Sequence, residues 1–390
     1  MIRIAAAVLI SFSLVLPVIP AVPASSSAEV TVRNAINLPR PAETIVLQAA
    51  DLGRLLPVDD LRRVHVRDER TGQERLTQAV DTNDDGKFEE LIFQADLGPL
   101  ETRRFQLSVG ARAEPRREDF KAYGRFVQER RDDFAWENDR IAHRMYGAAL
   151  ETWAREPLTS SAVDVWCKRV RRLVINDWYL VDDYHRDHGE GADFYSAGTS
   201  RGCGGDGLWV AGRLYPSANF RHSHVFANGP IRVMFELTYE TWDAGGTRLS
   251  EVKRITLDAG HNLNRFESRY TVQGGPPAQT YAIGIKKSPG SAISASRERG
   301  SLRTWEPLKD DAGQLGCGIL VNPAEIVDLT EDKANSLVVA KVPVDLPAVY
   351  YAGFGWSKSG DFLTVEDWDH YLSQYAARLR SPLEVTVTAR

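Results

Sequence analysis

The chain has 390 residues, 43% of them apolar and 26% charged, with a formal net charge of −5. That length supports two domains, or one large one with an appendage. The slight acidity excludes a general nucleic-acid binder, which would present a basic face.

Met1-Ile2-Arg3 leads into an apolar run from Ile4 to Leu16, broken by Pro17, Pro20 and Pro23 and followed by small residues to Ala28. One early positive charge, a short apolar stretch and small residues predict a secretory signal peptide over residues 1–28, cleaved after Ala24 or Ala28. The run is too short to span a bilayer comfortably, and no later segment is apolar enough to do so. The mature protein is therefore expected to be exported, periplasmic or extracellular, with no membrane partner.

Residues 29–110 read as short strands between turns, for example Val30–Val32, Thr44–Leu47, Val64–Val66, Leu91–Phe93 and Arg104–Leu107. That spacing predicts a small antiparallel β-sandwich. A charged, proline-containing stretch follows, and residues 111–125 are expected to be a linker. Residues 126–390 are expected to form one large antiparallel domain of two packed sheets, so the fold class is mainly β. Its strands are read at Val163–Ile175, Ile231–Thr241, Leu249–Leu257, Asn264–Val272, Ser336–Val344 and Leu383–Thr388. Helices are expected at Ala135–Met145 and Val365–Leu379. Of the three cysteines, Cys167, Cys203 and Cys317, at least one must be a free thiol, and Cys167–Cys203 is one open pairing.

Asp81, Asn83, Asp85 and Glu89 place oxygens at alternate positions around Gly86. The pattern fits the start of a calcium loop, structural in role, and also fits a polar hairpin turn. Position twelve is Ile92, so the segment is no EF-hand. In Asp164–Arg172, period two puts Asp164, Trp166 and Lys168 on one face. That face is read either as a stacking platform and cation for an acidic sugar or as a solvated edge with a core Trp.

Tyr184–Trp209 crowds Tyr184, His185, His188, Asp193, Tyr195, Arg201 and Cys203 among seven glycines. Glycine-rich loops loaded with titratable groups suit chemistry or close ligand approach better than solvation. His185, His188 and Asp193 fit a metal poorly, since Gly189 and Gly191 oppose a helix, so acid–base roles are expected instead. Trp136–Arg140 with His143, Arg144 and Tyr146 is read as a polar grip or as an inter-domain ion network. His222, His224 and the Gly353–Asp361 loop with Trp356 are expected at a cleft rim.

These segments together resemble a family of exported bacterial proteins classed as a domain of unknown function and found in polysaccharide-utilisation gene clusters. The resemblance rests on Arg40-Pro-Ala-Glu43-Thr, Asp85-Gly-Lys-Phe-Glu-Glu90, Glu137-Asn-Asp-Arg140, Tyr184-His185 through Gly204-Gly205, Asn228-Gly-Pro-Ile-Arg232 and Gly355-Trp356-Ser-Lys-Ser-Gly360-Asp361-Phe. The Asn228–Arg232 turn is also similar to that of galactose-mutarotase-like supersandwiches.

The family includes an oligosaccharide dehydratase that removes water from a non-reducing terminal glucuronate by β-elimination, leaving a 4,5-unsaturated uronate. The resemblance therefore implies an acidic oligosaccharide as substrate and no required cofactor. It implies Arg140 or Arg201 with Lys168 on the uronate carboxylate, and His185 as base with Tyr195 as alternative. Tyr184 or His188 would be the acid, Asp193 would orient a histidine, and Trp166 would stack on the ring. A polysaccharide lyase and a non-catalytic carbohydrate-binding protein are the rival readings.

Overall fold

The computed structural model describes residues 27–154, 157–275 and 277–390. The expected signal peptide thus falls almost wholly outside the described residues. The chain is mainly β, as its sequence predicts, and builds a small sandwich against a large one.

The small sandwich has a three-stranded sheet, Arg40–Gln48, Glu90–Leu97 and Thr77–Val80, facing a five-stranded one. Strict alternation puts Ala28, Val30 and Val32 of strand Ser27–Arg33 inside, against Ile45, Leu47, Phe93 and Phe105. The edge of the five-stranded sheet is closed by the last strand of the chain, Glu384–Ala389, which pairs antiparallel with Ser27–Arg33. The stretch expected as a linker carries a short 3-10 turn, Arg117–Asp119, and its end enters strand Ala122–Val127.

The large sandwich rests on an eight-stranded antiparallel sheet that includes Arg232–Ala244, Thr247–Asp258, Leu263–Val272, Gln314–Val321 and Ala348–Trp356. Two five-stranded sheets face it, one containing Cys203–Val210 and Thr280–Lys286, the other Asp133–Asn138, Ala142–Met145 and Asp164–Lys168. A parallel bridge between Val163 and Gly202 joins the two. One apolar core, with Phe134, Trp136, Val165, Phe235, Ile255, Ile283 and Phe354, fills the space between these layers. The outer face of the eight-stranded sheet is covered by helix Val365–Arg380, through Trp368, Leu372 and Ala376. Thr364 and Asp367 cap that helix reciprocally. The small sandwich docks through Val80 and Ile92 onto Ile231 and Met234, and Gln78 Oε1 accepts both Ile231 N and Arg232 N at 2.8 Å.

Three expectations are corrected. Ala135–Met145 is a hairpin, not a helix. Asn138 Oδ1 accepts the Arg140 and Ile141 amides at 2.8 and 2.9 Å and turns the chain. Both of its strands are buried on both faces, so no alternation betrays them. Strand Val163–Ile175 shortens to Asp164–Lys168, and a helix, Ile175–Val181, follows it. All three cysteines are buried free thiols, so Cys167 and Cys203 are not bridged. Among the described residues no helix is long and apolar enough to cross a membrane.

Candidate functional site

The outward face of the sheet containing Asp164–Lys168 carries a buried charge network. Arg144 lies at its centre and is almost wholly enclosed. Its Nε donates to Asp164 Oδ2 at 2.8 Å, its Nη2 to Asp193 Oδ2 at 3.1 Å and its Nη1 to the Tyr184 phenol at 3.3 Å. Asp133 Oδ2 stands 3.6 Å from Nη1. The Tyr146 hydroxyl donates to Asp164 at 3.0 Å, and the Tyr179 hydroxyl to Asp133 at 3.4 Å. Arg130 Nε also donates to the Tyr184 phenol. Burying one guanidinium among three carboxylates is tolerable only because the charges are paired and hydrogen-bonded to one another.

His185 stands where this network reaches water. Its Nδ1 is 3.5 Å from Asp193 Oδ2 and 3.3 Å from the Asp193 carbonyl oxygen, while its side chain is 61% exposed. A histidine backed by a buried, arginine-held carboxylate is the arrangement that orients a general base. Tyr184, whose ring lies tilted 4.6 Å from the His185 ring, has its phenol pushed up by burial against the opposing pull of Arg144 and Arg130. It therefore stays protonated at neutral pH.

The glycines of this segment tie the bay down. Gly191 has φ +115°, and a Cβ there would meet the Cys167 carbonyl oxygen at 2.0 Å. Its strand, Gly191–Ala192, pairs with Cys167 and Lys168. Asp187 Oδ1 accepts Gly189 N at 2.8 Å and Gly191 N at 3.1 Å, and Asp187 is ion-paired to Arg169 at 2.7 Å. Beside it opens a cavity of about 230 Å³, lined by Trp178, Tyr184, Arg172, Arg186, His188 and Glu190. There His188 Nε2 pairs with Asp183 at 2.8 Å, and Arg172 binds Glu190 and Asp177 at 2.6 Å each. Arg186 has no ion-pair partner among the described residues.

Of the residues singled out in the sequence, Tyr184, His185 and Asp193 come together, with His188 in the adjoining cavity. Others have different work. Lys168 shares a face with Asp164 and Trp166 but is wholly buried, its Nζ 2.6 Å from Glu137 Oε2 and 2.7 Å from the Asn138 carbonyl. Glu137 Oε1 in turn accepts the Val174 and Ile175 amides, capping helix Ile175–Val181. Trp166 offers no free face to a sugar, being wholly buried and stacked between Trp178 and Tyr184.

Arg140 binds Asp361 at 2.6 Å, and Arg201 is buried against Ser161 and Ser160, so neither reaches His185. Burial lowers the Arg201 guanidinium to about 10. Tyr195 lies buried beneath Lys286, whose Nζ is 4.3 Å from its ring centroid. Trp356 is buried, donates to the Ala312 carbonyl at 2.8 Å, and carries Arg169 over its ring. Arg130 and Asp133 are not among the residues the sequence singles out, and Arg144 and Asp164, read there in two separate candidates, meet in one network. Their pairings join segments far apart in the chain, and only the shared face of Asp164 and Trp166 was legible.

A second cluster lies at the turn before strand Glu90–Leu97. Carboxylate oxygens of Asp81, Asp85 and Glu89 fall within 4.8 Å of one another. Asp81 also accepts the Asp84 amide at 2.6 Å and the Gly86 amide at 2.8 Å, and Asn83 Nδ2 donates to Glu89 at 3.3 Å. His224 joins this turn, 3.1 Å from Asp84, rather than the His185 site.

Residues 32–385 match the model of a domain of unknown function, DUF4861. The chain is 34% identical over 372 residues to uncharacterized protein P7 of Formosa agariphila, covering 92% of this chain and 93% of that one. In shape it resembles a glycosyl hydrolase family 38 protein from Enterococcus faecalis, with TM-score 0.50, 10% identity and 95% of this chain covered. An α-mannosidase from Enterococcus faecalis gives TM-score 0.42 at 8% identity, with 95% of this chain covered. The chain spans about half the length of both solved proteins, 48% and 47%. At such identities the likeness concerns the β fold alone.

Proposed function

The chain belongs to the DUF4861 family, and from that membership and the His185 bay we propose that it removes water from a non-reducing terminal glucuronate of an oligosaccharide. The reaction is a β-elimination that leaves a 4,5-unsaturated uronate. The single observation that carries this reading is the chain His185–Asp193–Arg144. His185 takes the C5 proton, and Asp193 fixes its ring and balances the charge it gains. That proton is acidic only when the neighbouring carboxylate is neutralised, and Arg186, free of ion pairs at the cavity wall, supplies the cation. His188, paired with Asp183, or the protonated Tyr184 phenol gives a proton to the departing 4-hydroxyl.

The test is incubation with glucuronate-ended oligosaccharides. Ultraviolet absorbance of a conjugated uronate, with product lighter by one water, is expected. Unaltered substrate would sink the reading. A polysaccharide lyase would use the same groups on a glycosidic leaving oxygen and would shorten the chain. A carbohydrate-binding protein would hold the sugar unchanged.

We also propose export through the N-terminal segment of residues 1–28. Asp81, Asp85 and Glu89 are proposed to hold one calcium ion in a structural role, since three carboxylates this close repel without a cation.

A further inference from the structure

Helix Val365–Arg380 leaves part of the outer face of the eight-stranded sheet uncovered. Beside its last turns opens a cavity of about 420 Å³, lined by Leu320 and Tyr351 from the sheet and Leu379 from the helix. A second, of about 430 Å³, runs on across the seam to the small sandwich, past Tyr375 and His261 to Val46. Tyr351 and Leu379 line both, so the two form one groove. Each has the size of a small-molecule site, roughly 300–1,000 Å³. The Tyr351 and Tyr375 rings lie 5.7 Å apart, tilted by 58°.

Two arginines edge the first cavity. Arg299 stands at the tip of the hairpin formed by Ala292–Ser296 and Ser301–Pro307. Gly300, at φ +69°, lets that tip close on the sheet, since a Cβ there would meet the Val321 carbonyl oxygen at 2.0 Å. Arg297 donates to the Ile326 and Val327 carbonyls at 2.7 and 2.8 Å and clamps the tip. Arg380 ends the helix. Both Arg299 and Arg380 are exposed, and neither has an ion-pair partner among the described residues. Their neighbours do: Arg303 binds Asp369 at 2.6 Å, and Arg378 lies 3.5 Å from Glu43. Glu325 is the one carboxylate lining this cavity, and Asn322 Nδ2 donates to it at 3.2 Å.

We propose that this groove is a second, non-catalytic binding site for an acidic oligosaccharide. Arg299 and Arg380 pair with carboxylates of the chain, which guanidinium forks bind bidentately. Successive sugar rings lay their apolar faces on Tyr351 and Tyr375. Glu325 accepts sugar hydroxyls. A small anion would gain nothing from the aromatic floor, and an apolar ligand would leave both guanidiniums unused. The groove lies on the outer face of the eight-stranded sheet and the His185 bay on the layer packed against its other face, so filling one leaves the other open. The ligand class is that of the proposed elimination, but the groove depends on none of its chemistry.

The test is calorimetric titration of the full chain with an all-glucuronate tetrasaccharide, in a His185→Ala background to prevent turnover. Adding Arg299→Gln and Arg380→Gln is expected to weaken one site per chain by about tenfold or more. Both side chains are exposed, so the fold should survive, and a thermal melt checks this. Leu379→Glu, a second surface change, should weaken the same site by setting a carboxylate into the groove. Unchanged titrations in these variants would overturn the proposal. So would equal binding of neutral cellotetraose, of free glucuronate or of a tetraglutamate peptide. A site lost in the arginine variant, with no ultraviolet product from the unsubstituted protein, would support the groove and sink the elimination reading alone.

Discussion

Arg144 Nη2 lies 3.1 Å from Asp193 Oδ2, and this contact fixes the carboxylate that His185 leans on. The protein thus anchors a solvent-facing histidine through a charge pair that is itself sealed from solvent. Arg144 sits in strand Ala142–Met145 and Asp193 directly follows strand Gly191–Ala192, so the anchor exists only once the sheet is assembled.

His185→Ala should abolish most elimination activity while leaving the fold intact. General-base removal costs about 10²–10⁴-fold in rate, and a side chain this exposed contributes little packing. Turnover by ultraviolet absorbance, read beside a thermal melt, checks both. A folded variant with undiminished turnover removes His185 from the chemistry.

Replacing Arg144 is a stability matter first. Arg144→Leu leaves Asp133, Asp164 and Asp193 without their shared cation in a dry setting. A loss of about 3–5 kcal/mol is expected from urea denaturation. An unshifted midpoint would mean that the network is hydrated and not sealed.

Lys168 and Glu137 should behave as a structural pair. Lys168→Met strands a buried carboxylate and is expected to lower stability by about 3–5 kcal/mol. Adding Glu137→Gln should recover part of that loss, because the amide oxygen still accepts the Val174 and Ile175 amides. A double variant no more stable than the single one would contradict the pairing. A rate loss without a stability loss would return Lys168 to the chemistry.

Acid should destabilise the fold through His143. The ring is wholly buried, and burial pushes it down to about 3. Its Nδ1 meets the Asp164 carbonyl at 3.2 Å, and its Nε2 meets the Asn264 amide nitrogen at 2.9 Å. Asn264 Oδ1 already accepts Trp136 Nε1, which fixes that orientation. The unfolded chain takes up a proton near 6.5, whereas the folded chain holds the ring neutral to about 3. Stability is therefore full above pH 6.5 and falls as pH drops towards 3, by up to about 4 kcal/mol from this group. His143→Gln should flatten that part of the denaturation-versus-pH curve, and an unchanged slope would assign it elsewhere.

Calcium at millimolar concentration should raise the melting temperature of the chain by a few degrees, about 1 kcal/mol if the site binds at sub-millimolar affinity. Asp85→Asn should not respond. Equal melts with calcium and with chelator would leave the segment a polar turn.

Sequence patterning reached the fold where strands have one wet face. Ser27–Arg33 alternates apolar and polar residues from Ala28 to Arg33, and helix Val365–Arg380 carries its own cap in Thr364. It failed where the signal is supplied from elsewhere. Helix Ile175–Val181 is capped by Glu137, some forty residues earlier, so its own residues give no start signal. The site shows the same division. Tyr184, His185 and Asp193 stood out because glycines isolate them, and the Asp193 amide donating to the Tyr184 carbonyl at 2.8 Å closes that short loop. Lys168 and Arg201 looked like substrate ligands because a sequence displays charge but not burial. Their partners, Glu137 and two serines, come from other segments of the chain.

The strand Glu384–Ala389 lies beside Ser27–Arg33 although Arg33 and Glu384 are 351 positions apart in sequence. On the ribosome, the sheet that Ser27–Arg33 enters must wait for Glu384–Ala389. Until then Ser27–Arg33 offers an unpaired edge open to any passing strand. Assembly of that sheet is thereby held back until residues 384–389 have been made, and the two strands hold each other against fraying.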